Sequence, residues 1–271
     1  MVEAAREAQL DCRIIDATTV VADTASGVLD ADGEAPTDLP DVVLARVGNW
    51  RPDSLLALVE RYTVAGVPTP NPAPAIRIGR DHWQTALVLS EAGLPVPPTV
   101  AGSDPEALAA AARRWGFPVV VKHRRSRMGV GVIRCASLDH LEAVLDSMWR
   151  LGDEVVVQRY RETGGVSLRL LVIAGRVVAA ARFTAATGDW RSNAARGGQV
   201  AACRPEPADH ALAVAATQAV GLGICGVDLL PGADGTEIGE VNPTPGFTHL
   251  ERATGIDVAA AMVAHLAAIA R

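Results

Sequence analysis

Gly226-Val227-Asp228-Leu229-Leu230, followed nine residues later by Glu240-Val241-Asn242-Pro243-Thr244-Pro245-Gly246, is the stretch whose reading decides the fold. Both runs read as apolar strands with polar groups set into them. Alternate residues on a strand share a face, so Glu240 and Asn242 point one way while Val241 points into the core. Asp228, on the neighbouring strand, reaches the same point. Hard oxygen donors converging in this way suit Mg²⁺, which takes one or two carboxylates and keeps positions for phosphate oxygens. The pattern makes an α/β chain a candidate nucleotide-using enzyme.

Working outward, the 271-residue chain is long enough for two or three units with their own cores. At 49% apolar and 21% charged residues it is globular rather than disordered, and 4% aromatics with abundant alanine favour Ala-rich helices over a β-sandwich. The formal net charge of −6 argues against nucleic acid as the main partner. Cys12, Cys135, Cys203 and Cys225 form no CxxC pair and read as buried free thiols. No apolar run reaches the ~18 residues of a membrane span, and the charged start Met1–Ala8 is no signal peptide, so a cytoplasmic protein is expected.

Upstream, the pattern predicts a helix over 1–9, strands over 12–16 and 41–47, a loop over 23–39 and a helix over 55–65. The prolines of Val67–Pro72 enforce extended backbone. This first unit opens on a helix without a strand before it, as if its first strand were missing. Further on, helices are predicted over 80–92, 103–115 (capped by Ser103), 138–151 (capped by Ser137), 207–220 and 255–270. Strands are predicted over 117–122, 131–134, 154–158, 168–173, 176–183, 198–203, 225–230 and 236–241. Only Ala174-Gly175 separates two of these, so they pair antiparallel.

Several constellations fit phosphate chemistry. Lys122 ends an apolar strand and precedes Ser126-Arg127-Met128-Gly129-Val130-Gly131, a loop whose backbone N–H groups can approach phosphate. It is neither a Walker A box nor a dinucleotide fingerprint, and by itself it reads equally as a hairpin turn. Gln158-Arg159-Tyr160 ends another strand, where backbone groups can read an adenine edge or merely connect two units. Arg191-Ser192-Asn193-Ala194-Ala195-Arg196 is a basic loop suited to phosphoryl or carboxylate groups, or a solvated connector. Arg169 alternates away from the apolar face formed by its neighbours.

This order of motifs resembles ATP-grasp ligases of the RimK/LysX type, the α-L-glutamate ligase group, over nearly the whole chain. The most specific segments are 191–198 and 226–257. The resemblance implies an α/β (α+β) ATP-grasp fold: a short N-terminal domain (1–78), a central subdomain (79–157) and a C-terminal subdomain with the metal site (158–271). The two grasp subdomains would clasp the nucleotide. It further implies ATP with two Mg²⁺ ions (Mn²⁺ as a substitute) held by Asp228, Glu240 and Asn242. Lys122, His82, Ser126, Gly129, Gly131, Gln158 and Tyr160 would contact the nucleotide. Arg169, Arg191, Asn193 and Arg196 would stabilise the transferring phosphoryl. Arg46 and Arg196 would hold the substrate carboxylate. The implied reaction is ATP-dependent carboxylate–amine ligation through an acyl phosphate. It would add glutamate or another amino acid to a protein, peptide or small-molecule acid, with no nucleic acid or membrane partner and with a homo-oligomer as the common assembly. The chain departs from the pattern at Asp81-His82, where the family has Asp-Lys, at Ser167, where it often has Asp, and in a glycine loop made more basic by Arg124, Arg125 and Arg127. Two other readings accompany this one: a different phosphoryl-transfer outcome on the same fold, and a non-catalytic nucleotide-binding regulatory or scaffold protein.

Overall fold

The computed structural model describes residues 1–30, 32–36, 38–47, 52–125, 131–192 and 197–270. Two antiparallel sheets dominate. The larger has the order β11 (Gly235–Asn242), β10 (Ile224–Gly232), β7 (Val166–Ile173), β8 (Arg176–Thr184), β9 (Gln199–Ala202). The smaller has the order β3 (Thr99–Ala101), β6 (Val155–Arg159), β4 (Val119–His123), β5 (Val132–Cys135). This is the α+β arrangement that the resemblance implied.

The period of two assigns each face of the large sheet. On β7 and β10, Leu170, Val172, Cys225, Val227 and Leu229 pack into one core with α7 (Pro207–Val220), α4 (His82–Glu91) and α3 (Ala73–Gly79). The opposite face is divided along its length. At one end Leu171, Ile173 and Ile224 lie under α8 (Thr248–Thr254) and α9 (Val258–Ile269). Toward the other end the same face carries Ser167, Arg169, Asp228 and Glu240. The small sheet rests on α5 (Pro105–Arg113) and α6 (Leu138–Arg150) through a separate apolar core. Each fully buried Leu, Val or Ile in these three cores contributes roughly 1.5–3 kcal/mol to holding its sheet against its helices.

Local chemistry explains the element ends. Ser137 accepts the amide of His140 and opens α6. The Ala174-Gly175 turn has positive φ at both residues (50° and 70°), the type I′ geometry that matches strand twist. Helix α5 is capped by Asp104, whose carboxylate accepts from Glu106 N, rather than by Ser103. The helix expected over 255–270 is α9, which starts at Val258 behind an Asp257 cap; α8, which ends at Gly255 with φ 69°, precedes it and was not anticipated. Helix α3, with Pro74 in its first turn, was not anticipated.

The N-terminal unit departs most from expectation. A small hairpin, β1 (Val21–Asp23) paired with β2 (Gly27–Leu29), runs into the first part of the expected loop 23–39 and is tightened by Asp23 accepting Ser26 N. Residues 12–16 join no ladder, and Ile14 is 82% exposed. Residues 41–47 are likewise outside any ladder, with one backbone bond from Val43 N to Pro68 O. The reason is physical: Pro68 and Pro70, in the segment alongside, have no N–H to offer a ladder. Helices α1 (Val2–Glu7) and α2 (Pro52–Val64) complete the unit. Cys135 and Cys225 are buried free thiols as expected, but Cys12 is exposed. Among the described residues no single helix is long and apolar enough to cross a membrane.

Candidate active site

The site begins as a single row across three strands. Register places Arg169 on β7 opposite Asp228 on β10, and Asp228 opposite Glu240 on β11, with Gly226 opposite Asn242 one pleat away. Arg169 grips Asp228 with two parallel bonds, Nε to Oδ1 at 2.6 Å and Nη2 to Oδ2 at 2.5 Å. Burial opposes the charge on Arg169, but Asp228 and Glu240 more than offset it and hold the guanidinium pKa above its ordinary value. The ring of Phe183 lies 5.2 Å beneath the guanidinium.

A β-bulge falls within this row. Register shifts between Asp228 and Leu229, so that Gly239 on β11 has no partner of its own. A Cβ at Gly239 would stand 2.9 Å from Leu230 Cγ, so only glycine fits, and the bulge re-aims Glu240 beside it. Beyond Asn242 the chain turns sharply. Asn242 Oδ1 accepts Thr244 N at 2.9 Å, and a Cβ at Gly226 would lie 3.0 Å from Pro245 Cβ. The small residue lets the proline turn fold over β10.

From the small sheet, Lys122 faces these carboxylates. Burial lowers its pKa, while Glu240 and Asp228 oppose that shift. Its ammonium donates to Gln158 Oε1 at 2.8 Å, and Gln158 Nε2 in turn donates to Thr99 Oγ1 at 2.9 Å. The Gln158 side chain therefore orients the lysine. His82, Gln158 and Glu240 line one cavity together with Gly79, Ile238 and Gly239. Burial, reinforced by the positive charge of Lys122 and only partly opposed by Asp81, lowers the His82 pKa to about 3. The imidazole is thus neutral near pH 7. Cationic charge lies nearby instead: Asp81, which caps α4, accepts Arg124 Nε at 2.7 Å.

The remaining expected residues spread around the rim. Gly131 takes φ 70° where the β4–β5 loop rejoins β5. Arg191 donates to Asp189 Oδ1 at 3.1 Å and, across the cleft, to Val132 O at 3.1 Å. Trp190 stacks beneath Arg191 and meets Tyr160 edge-on at 5.7 Å, with Arg134 over the Tyr160 ring. Tyr160 is therefore an aromatic bridge between the sheets. Arg46 donates to Pro245 O at 3.0 Å and lies over Phe247, against the turn that follows Asn242. Ser167 shares a hydrogen bond of 2.6 Å with Ser192 and anchors the start of the basic loop. The expected residues Ser126, Gly129, Asn193 and Arg196 lie outside the described residues.

Sequence reasoning missed Asn71, the Gly239 bulge and Trp190. The Trp190-Arg191 pairing and the extra residue in the Gly239 strand were visible signals. The role of Asn71 had none, since its partners lie 152 to 172 residues away.

Among the described residues no three His, Cys, Asp or Glu side chains cluster as a metal site. The set here is two carboxylates and an amide, all oxygen donors, which suits a divalent ion that shares its shell with phosphate rather than a protein-caged one. Both Asp228 oxygens already accept from Arg169, yet a carboxylate offers about four lone-pair sites, so the donor set fits such an ion.

A lysine and a carboxylate row facing each other from two antiparallel sheets define the class: an α+β nucleotide-using enzyme of ATP-grasp type. The model for the RimK-like ATP-grasp domain matches residues 79–266, and the chain belongs to that family of ATP-dependent ligases. It is 34% identical over 237 residues to the probable alpha-L-glutamate ligase of Marinomonas sp. (strain MWYL1), covering 87% of this chain and 78% of that one. It is 32% identical over 271 residues to the probable alpha-L-glutamate ligase 1 of Shewanella amazonensis (strain ATCC BAA-1098 / SB2B), covering 98% and 89%. The fold superposes with TM-score 0.75, at 20% identity over 100% of this chain and 92% of the other, on ATP-grasp ligase PsnB complexed with minimal precursor, Mg and ADP.

Proposed function

We propose that this chain is an ATP- and Mg²⁺-dependent carboxylate–amine ligase that works through an acyl phosphate and attaches glutamate or another amino acid to a peptide, protein or small-molecule acid. The carrying observation is the Arg169–Asp228–Glu240 row facing Lys122. The glutamate ligases among its relatives, and the peptide precursor bound by PsnB, favour an amino-acid donor and a peptide-like acceptor.

In the proposed reaction a carboxylate oxygen of the acid attacks the γ-phosphorus of ATP. The bond from that phosphorus to the bridging oxygen breaks, ADP leaves and an acyl phosphate forms. The amine nitrogen then attacks the acyl carbon, inorganic phosphate leaves with the carbon–oxygen bond pair, and the nitrogen loses a proton to phosphate or solvent. Asp228, Glu240 and Asn242 would hold Mg²⁺, one ion or two and replaceable by Mn²⁺, which neutralises phosphate charge when bound. Lys122, held by Gln158, places a point charge on the phosphates. Arg169 and Arg191, with Asn193 and Arg196, stabilise the phosphoryl in flight, and Arg46 receives the substrate carboxylate. Residues 79–157 and 158–271 act as the two jaws that exclude water from the acyl phosphate.

ADP release measured over a panel of acids and amines tests the reading. Amine-dependent release is expected, and nucleotide binding with no turnover in any pairing would sink it. Glu240→Ala should abolish turnover with an unchanged circular dichroism spectrum; retained turnover removes Glu240 from the metal set.

A further inference from the structure

We infer that Asn71, a residue of the N-terminal unit, is a positioning residue that fixes the amide of Asn242 relative to Asp228. The inference rests on the proposed reading of Asp228, Glu240 and Asn242 as the divalent-cation set. Asn71 is 1% exposed and its amide is fully used. Its Oδ1 accepts from Gly223 N and Ile224 N, both at 3.0 Å. Its Nδ2 donates to Ile224 O at 2.6 Å and to Pro243 O at 2.9 Å. One planar group thus ties the start of β10, the strand that carries Asp228, to the residue directly after Asn242.

The surroundings make that tie matter. Pro243 carries no N–H, so a backbone amide cannot anchor it. A Cβ at Gly79 would stand 3.0 Å from Pro243 Cδ and 3.2 Å from Val241 O, so Gly79 packs closely on the same turn. Farther along, Arg46 holds Pro245 O. The turn is therefore gripped from the N-terminal unit at two carbonyls, and the Asn71 bond is the one adjacent to Asn242. A buried amide that served only to staple two elements could join them anywhere along their length. This one sits at the end of β11 where a donor atom must be held. Groups that orient a metal ligand from behind typically change metal affinity by about 10–100-fold when altered.

The test compares Asn71→Asp with the unmodified chain. Aspartate keeps both acceptor bonds but turns an oxygen toward Ile224 O and Pro243 O, displacing the turn. Binding of Mn²⁺ in the presence of ADP, followed by electron paramagnetic resonance of free Mn²⁺, should weaken by about tenfold. ADP affinity in EDTA, read by calorimetry, should stay within about twofold, a split that general loosening of the fold would not give. Glu240→Ala is the control for the underlying reading. Weakened Mn²⁺ binding in both variants supports the inference. Weakening in Glu240→Ala alone overturns the role of Asn71 and spares the metal site. Unchanged binding in both overturns the metal reading and the inference with it. If Asn71→Asp does not fold, Asn71→Ser, which removes the Nδ2 bond to Pro243 O, takes its place: the same tenfold loss supports the inference, and unchanged binding overturns it.

Discussion

Arg169 is both a neighbour of the candidate metal site and its counter-ion. With Asp228 it forms a two-bond pair that is only about a fifth exposed. Removing one charge of a buried pair costs about 3–5 kcal/mol, and partial exposure lowers that figure. Asp228→Asn should therefore lower stability by about 1–3 kcal/mol in urea unfolding, with much of the loss recovered in Asp228→Asn/Arg169→Met, where no unpaired charge remains. Equal stabilities for the single and double variants would show that the pair is not coupled in this way. His82 gives a pH signature. Its folded pKa of about 3 lies below the ordinary 6.5, so between these values the unfolded chain binds the extra proton. Stability of the nucleotide-free protein should fall as pH drops from 6.5 toward 3. In His82→Gln the chemical-denaturation slope over that window should flatten, and an unchanged slope would refute the assignment.

At the scale of elements, two positions carry backbone demands with measurable cost. Ala174 sits at φ 50° in the β7–β8 turn, where an L side chain other than Asn or Asp costs about 1 kcal/mol. Ala174→Asn should raise stability by about 0.5–1 kcal/mol with no change in turnover, as a thermal melt and an ADP-release assay would report. Gly239→Ala should act in the opposite direction: its Cβ meets Leu230, the bulge relaxes, and stability falls by about 1–3 kcal/mol together with turnover, because Glu240 is re-aimed. The two elements also mark what the sequence made legible. The β7–β8 hairpin was readable because a two-residue turn and period-two alternation are local signals. The Asp228…Glu240-x-Asn242 row was readable for the same reason. Residues 12–16 and 41–47 misled, because strand-like composition does not provide a pairing partner, and partners are set at long range. The side chain of Gln158 holds Lys122, a contact between positions 36 residues apart that spacing does not encode. Asn71 left no local trace at all.

For the whole molecule, side-chain bonds join the two sheets. Arg169 satisfies Asp228, Gln158 satisfies Lys122, and Arg159 on β6 pairs with Glu237 on β11 at 2.7 Å across the two sheets. These contacts are made entirely by the protein's own side chains. Removal of divalent ions with EDTA should leave the melting temperature of the nucleotide-free protein unchanged; a large drop would mean that the fold itself depends on the ion. The Asn71 tie also has a consequence in time. Its bonds join residues separated by 152 to 172 positions, among the most distant contacts that a chain of this length makes. Closing so large a loop is entropically costly, so such contacts follow local ones during folding. The end of β11, where Asn242 lies, is therefore fixed late in folding, after the local hairpins of the large sheet have formed.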